Sequence, residues 1–81
     1  MQLELLIPGK TIFSGEVNLV KLPGSDGSFG ILKNHAPLIS SLTDGELKVQ
    51  TKAGETLNYI THGGVVEVKN NKVVVLVETI E

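Results

Sequence analysis

The sequence predicts an all-β fold, a small sandwich or barrel built as one domain, and three observations carry that prediction. Apolar residues recur with a period of two through most of the chain, beginning with Leu3, Leu5 and Ile7. That is the repeat of a half-buried strand, whose successive side chains point to opposite faces. Nine glycines and three prolines punctuate the chain at intervals of roughly eight to twelve residues, the spacing of turns between short strands. No apolar set at i, i+3, i+4 and i+7 runs for ten residues between caps. The best helical candidate, Ala36 to Leu42, is too short and carries Pro37 near its start.

Each element follows in order. Leu3, Leu5 and Ile7 alternate with Gln2, Glu4 and Leu6, and Pro8-Gly9 closes the strand. Val17 to Leu22 is strand-like, but its apolar parity switches between Leu19 and Val20, which predicts a bulge or burial on both faces. Pro23 to Gly27 is a turn cluster. The segment Gly27 to Leu38 predicts a strand, a turn at Lys33-Asn34 and a second short strand. Leu47, Val49 and Thr51 face one way and Lys48, Gln50 and Lys52 the other. Ala53-Gly54 turns the chain, and Leu57 to Thr61 returns. The last hairpin is the clearest: Gly64 to Lys69, Asn70-Asn71, then Lys72 to Thr79. Asparagine tolerates positive φ, so Asn70-Asn71 suits a two-residue type I′ turn.

Size and charge bound the function. Residues 1–81 make one small domain, able to bury only about 60–65% of its unfolded surface. There is no cysteine, hence no disulfide and no thiolate metal site. The longest apolar run, Val73 to Val77, is far short of the ~20 residues that span a bilayer. The N-terminus has neither a basic leader segment nor an Arg- and Ser-rich transit pattern, so a soluble domain acting in its compartment of synthesis is expected. The net charge is −2, with seven basic residues, all lysine. A weakly acidic surface is a poor nucleic-acid footprint. Without arginine the chain also lacks the planar fork that grips phosphate and carboxylate.

Candidate chemistry is sparse. His35 and His62 are the only imidazoles; a zinc site needs more ligands than these, and a surface or structural role is expected for both. Ser28, His35 and Asp26 lie in one stretch and would form a triad only if the fold brought them together. Glu4, Glu16 and Glu67 fall on solvent faces of strands. Gly24, Gly27 and Gly30 have no helix after them to hold a phosphate; they supply turn geometry or close backbone approach. Lys52 lies at a hairpin tip, where lipoyl or biotinyl carrier domains present a modified lysine, although the residue usual before that lysine is missing. No cofactor is expected. Phe29, Ile31, Leu32, Ala36, Pro37 and Leu38 form an apolar cluster held by Gly and Pro, which loses little entropy on docking and can anchor a partner.

A family resemblance rests on Phe13-Ser14-Gly15-Glu16-Val17, Leu22-Pro23-Gly24-Ser25-Asp26-Gly27, Gly30-Ile31-Leu32-Lys33-Asn34-His35-Ala36-Pro37-Leu38, Gly45-Glu46-Leu47-Lys48-Val49, Gly63-Gly64-Val65-Val66-Glu67-Val68 and Val73-Val74-Val75-Leu76. In that order and spacing these blocks resemble the epsilon subunit of F-type ATP synthases along the whole chain. The resemblance implies that family's N-terminal domain, a small antiparallel β-sandwich of about ten short strands. It implies a non-catalytic rotor component, monomeric alone, at the foot of the central stalk on the cytoplasmic face of the bacterial inner membrane. One flank would pack on the gamma shaft subunit and one end would touch the loops of the c-ring, so that the membrane is met only through the complex.

The c-ring contact of the family falls on Ser28, Phe29 and Gly30, with His35 close by. Two departures bear on that contact. Many relatives carry a carboxylate where this chain has Ser28, which can only hydrogen-bond. Lys33-Asn34 replaces a Pro-Gly turn. Many relatives continue into two helices that inhibit rotation and in some bind ATP; the chain reaches Glu81 just past its last strand, so the resemblance predicts a short form without that hairpin or its nucleotide site. An exposed apolar patch on one sandwich face is expected to meet a partner.

Overall fold

A computed structural model describes all of residues 1–81. The chain contains nine strands and no helix: β1 (Gln2–Ile7), β2 (Lys10–Gly24), β3 (Gly27–Leu32), β4 (Leu38–Ser41), β5 (Gly45–Thr51), β6 (Thr56–His62), β7 (Val65–Lys69), β8 (Lys72–Leu76) and β9 (Thr79–Ile80). They form one hydrogen-bonded sheet folded into two layers. The first layer runs β4-β7-β8-β1 and the first half of β2; the second runs β3, the second half of β2, β5, β6 and β9.

β2 is why there are nine strands and not ten. It runs unbroken for 15 residues, pairing with β1 over Lys10 to Glu16 and with β3 and β5 over Val17 to Gly24. Two bulges make the bend between layers. Against β1 the register shifts between Leu5 and Leu6, leaving Ile12 as the extra residue. Against β5 it shifts between Val17 and Leu19, leaving Asn18. An inserted residue kinks a strand and steepens its twist. Asn18 turns outward and its side chain donates to the Thr51 carbonyl at 3.3 Å. The parity switch expected in this strand is therefore a bulge, one residue earlier than the sequence places it. Val17 is buried before it and Val20 and Leu22 after it.

The pairing is antiparallel except for β1 with β8, which run parallel, Leu3 beside Val73 and Leu5 beside Val75. Alternation then fills the space between layers. Leu3, Leu5, Val66, Val68, Val73 and Val75 point in from the first layer, and Val20, Leu22, Ile31, Leu47 and Val49 from the second, within a core of 15 buried residues. Thr61 is the one buried polar residue, and its hydroxyl donates to the Gly45 carbonyl at 3.4 Å. Between β7 and β8, Asn70 and Asn71 have φ of 51° and 60°, the double left-handed geometry of a type I′ turn.

Candidate docking surface

The outer face of the first layer carries residues that alternation would make polar. Cross-strand register sets Ser41, Val65, Leu76 and Leu6 in one row and Ile39, Glu67, Val74 and Glu4 in the next. The unbroken apolar run of β8 is the cause: Val73 and Val75 fill the core, so Val74 and Leu76 must face out. Ile39 is 73% exposed, Leu76 41% and Val65 40%. An open groove of about 490 Å³ lies beside Ile39, lined by Pro37, Leu38, Ile39, Glu67, Val68 and Lys69. Burying apolar surface is worth about 25 cal/mol per Å², so this stripe, flanked by Glu67, Lys69 and Glu4, has the chemistry of a docking face.

A second surface lies at the β2–β3 hairpin. Gly24 pairs with Gly27, and Gly27 takes φ of 125°, closing a loop of Ser25 and Asp26. The Ser25 and Ser41 hydroxyls lie 3.0 Å apart and bind the loop to β4. Along β3, Phe29 and Ile31 turn inward, Phe29 half-buried against the core and Ile31 fully buried. Ser28, Gly30 and Leu32 turn outward, and Leu32 is 61% exposed. Gly24 is required by close approach, since a Cβ there would lie 2.6 Å from Phe29 Cε1 and from the Gly27 carbonyl oxygen. Gly30 has no positive φ and its open side meets only Leu19 Cδ1, at 3.4 Å. Backbone strain therefore supplies no reason for glycine at that position.

His35 lies at the other end of β3. Its amide donates to the Leu32 carbonyl at 3.1 Å, closing the Lys33-Asn34 turn, where Asn34 has φ of 63°. Its Nδ1 is 2.7 Å from the Ala36 carbonyl oxygen. At a rise of about 3.3 Å per residue, β3 holds Ser28 and His35 at opposite ends. Ser28, Phe29 and Gly30 thus form one end of the domain, with Phe29 directed inward, and His35 belongs to the end shared with the Asn70-Asn71 turn, where the Asn34 amide donates to Asn71 Oδ1 at 2.9 Å. Ser28, His35 and Asp26 do not converge. Leu32, expected in the apolar cluster but not among the c-ring contacts, has the outward parity of Ser28 and Gly30, and counting by twos from Ser28 separates it from the inward Phe29 and Ile31. Lys52 is exposed at the β5–β6 tip, where its amide donates to the Glu16 carbonyl at 3.2 Å.

A two-layer sheet with an apolar flank and a short hairpin end offers surface of the kind that meets another protein. The chain belongs to the family described as the ATP synthase delta/epsilon chain β-sandwich domain, whose model matches residues 1–81. It is 44% identical over 80 residues to the ATP synthase epsilon chain of Desulforamulus reducens, covering 99% of this chain and 60% of that one. It is 41% identical over 80 residues to that of Pelotomaculum thermopropionicum, covering 99% and 59%. Against the epsilon chain of Chlorobium limicola it is 38% identical over 79 residues, covering 98% and 90%. The chain thus spans about three fifths of the first two relatives. Among solved structures, it resembles a chain of the Euglena gracilis mitochondrial ATP synthase with a TM-score of 0.91 at 23% identity, covering 98% of this chain and 51% of that one. A chain from the central stalk and c-ring of the Tetrahymena thermophila enzyme gives 0.82 at 21%, covering 100% and 65%. At those identities the likeness establishes the fold, and it agrees with the sandwich expected from the sequence. A family match along the whole chain also leaves a lysine-modified carrier domain without support. No helix is long and apolar enough to cross a membrane.

Proposed function

We propose that this domain is the stalk-foot module of an F-type ATP synthase in a bacterium, held at the cytoplasmic side of the inner membrane through its partners. The outer face of the first layer docks on a gamma-type shaft subunit, and the β2–β3 end meets the polar loops of a c-ring. The observation that carries this reading is the outward row Val65, Leu76 and Leu6 with Ile39 beside it, on a chain that belongs to the epsilon-type sandwich family. At the hairpin end, Ser28 offers a hydroxyl and exposed Asp26 the nearby carboxylate; Leu32 extends the outward face of β3 with apolar surface. The domain performs no bond chemistry in this reading and couples rotation by shape.

The test is assembly. A standard specific interface buries about 800 Å² on each partner, and an alternating strand tolerates outward substitutions within ~0.5 kcal/mol. Leu76→Glu should therefore leave thermal stability near wild type and abolish co-purification with the gamma-type subunit. Ser28→Cys should crosslink to c-ring loops in assembled complexes. Undiminished co-purification by Leu76→Glu and Ile39→Glu would remove this face from the interface.

A further inference from the structure

We propose that His62 is a proton-operated clasp that fixes the last strand, β9, to the edge of the second layer. β9 has only two residues, paired to β6 at Thr61 and His62, and its flanks are held by backbone bonds from Ile60 N to Glu81 O at 3.3 Å, Glu81 N to Ile60 O at 2.7 Å, and Glu78 N to His62 O at 3.0 Å. The imidazole at the end of β6 reaches both sides of this join. Its Nε2 is 2.7 Å from Glu81 Oε2, just past β9, and its Nδ1 is 3.6 Å from Asp44 Oδ2, on the β4–β5 connection. Asp44 is itself aimed by the Gly63 amide, which donates to Oδ1 at 2.9 Å.

A neutral imidazole carries one N–H and can donate to one carboxylate; its other nitrogen then presents a lone pair to the second. The imidazolium donates to Glu81 and faces Asp44 as an ion pair at 3.6 Å, so its charge joins β9 to the β4–β5 connection. The surroundings are otherwise acidic. From the β8–β9 connection the Glu78 carboxylate lies over Gly63, where a Cβ would be 3.2 Å from Glu78 Cδ. On β5, Glu46 and Lys48 stand opposite Ile60 and Asn58, two and four residues back along β6 from His62, so the nearest lysine in that register is remote from the ring. Loss of the proton leaves Asp44, Glu78 and Glu81 around an uncharged group, with Ile80 packing as the remaining side-chain anchor of β9.

The hydrogen bond to Glu81 has the largest influence on the His62 pKa, desolvation opposes it next, and Asp44 adds a smaller upward pull, so that the pKa lies above its usual value of 6.5. A group whose pKa is raised by folding contributes stability that is complete below the unfolded value and disappears as pH climbs through the folded one. β9 is therefore tight in mildly acidic solution and loosens on the alkaline side of neutrality. Sequence alone does not reveal the clasp, because Asp44, His62 and Glu81 meet only when β6 pairs with both β5 and β9.

Hydrogen exchange on the full chain tests this, read as protection factors so that intrinsic base catalysis is removed. The Glu81 amide should lose protection between pH 6 and pH 8.5, by up to tenfold for each unit that the clasp raises the imidazole pKa, while the Leu47 amide in the core strand β5 keeps its protection. In His62→Gln the Glu81 amide should have the same lowered protection at both pH values, and Asp44→Asn should shrink the pH dependence without touching Glu81. Should His62→Gln fold poorly, Glu81→Gln supplies the same comparison. Flat protection of Glu81 in the wild type, or an equal fall in the variant lacking the imidazole, would overturn the proposal.

Discussion

The amide of Asn34 donates to the side-chain oxygen of Asn71 at 2.9 Å, tying the turn after β3 to the turn between β7 and β8. Both residues are left-handed, at φ 63° and 60°, so each Asn both permits its turn and joins it to the other layer. Asn71→Ala forfeits both contributions, about 1 kcal/mol for the left-handed backbone and about 1 kcal/mol for the hydrogen bond. Asn71→Gly keeps the backbone and forfeits only the bond. Urea midpoints should rank wild type, Asn71→Gly, Asn71→Ala in falling order; equal midpoints for wild type and Asn71→Gly would mean that the bond contributes nothing.

Gly24 and Gly30 face opposite fates on the same hairpin. A methyl at Gly24 meets the Gly27 carbonyl and the Phe29 ring at 2.6 Å, so Gly24→Ala should destabilise by about 1–3 kcal/mol, the usual cost of overpacking. Gly30→Ala has an ordinary backbone and an open side, and its melting temperature should stay near that of the wild type. Adding Phe29→Ala to Gly24→Ala should not restore stability, because the backbone clash with Gly27 persists.

Phe29 and Leu32 separate folding from docking. Phe29 is half-buried against the core, so Phe29→Ala should destabilise by about 2 kcal/mol. Leu32 points into solvent, so Leu32→Ser should leave the melting temperature unchanged and weaken c-ring association in reconstituted complexes. Full association by Leu32→Ser would take it out of the contact.

Much of this architecture was legible in the chain. Alternation located β1, β5, β6, β7 and β8, and Asn70-Asn71 announced its own turn because few other residues accept positive φ. The first half of β2 was hidden by its bulge: Ile12 and Phe13 stand side by side, which masks a period of two. The parallel β1–β8 pair leaves no local trace, since it joins chain segments about seventy residues apart in register, Gln2 with Lys72. The docking face was hidden for the same reason. Val65, Leu76 and Leu6 form a row only through pairing between β7, β8 and β1. His35 was grouped with Ser28 by nearness in sequence, but extended backbone is the conformation that separates near neighbours most.

β2 belongs to both layers, and this has a mechanical consequence. In a sandwich of two separate sheets, a sideways load on one is resisted by side-chain packing across the middle. Here the load passes from the flank bearing Val65 and Leu76 through the β8–β1 and β1–β2 ladders, then along the covalent chain of β2 into the hairpin bearing Ser28, and a push at either place moves the whole block.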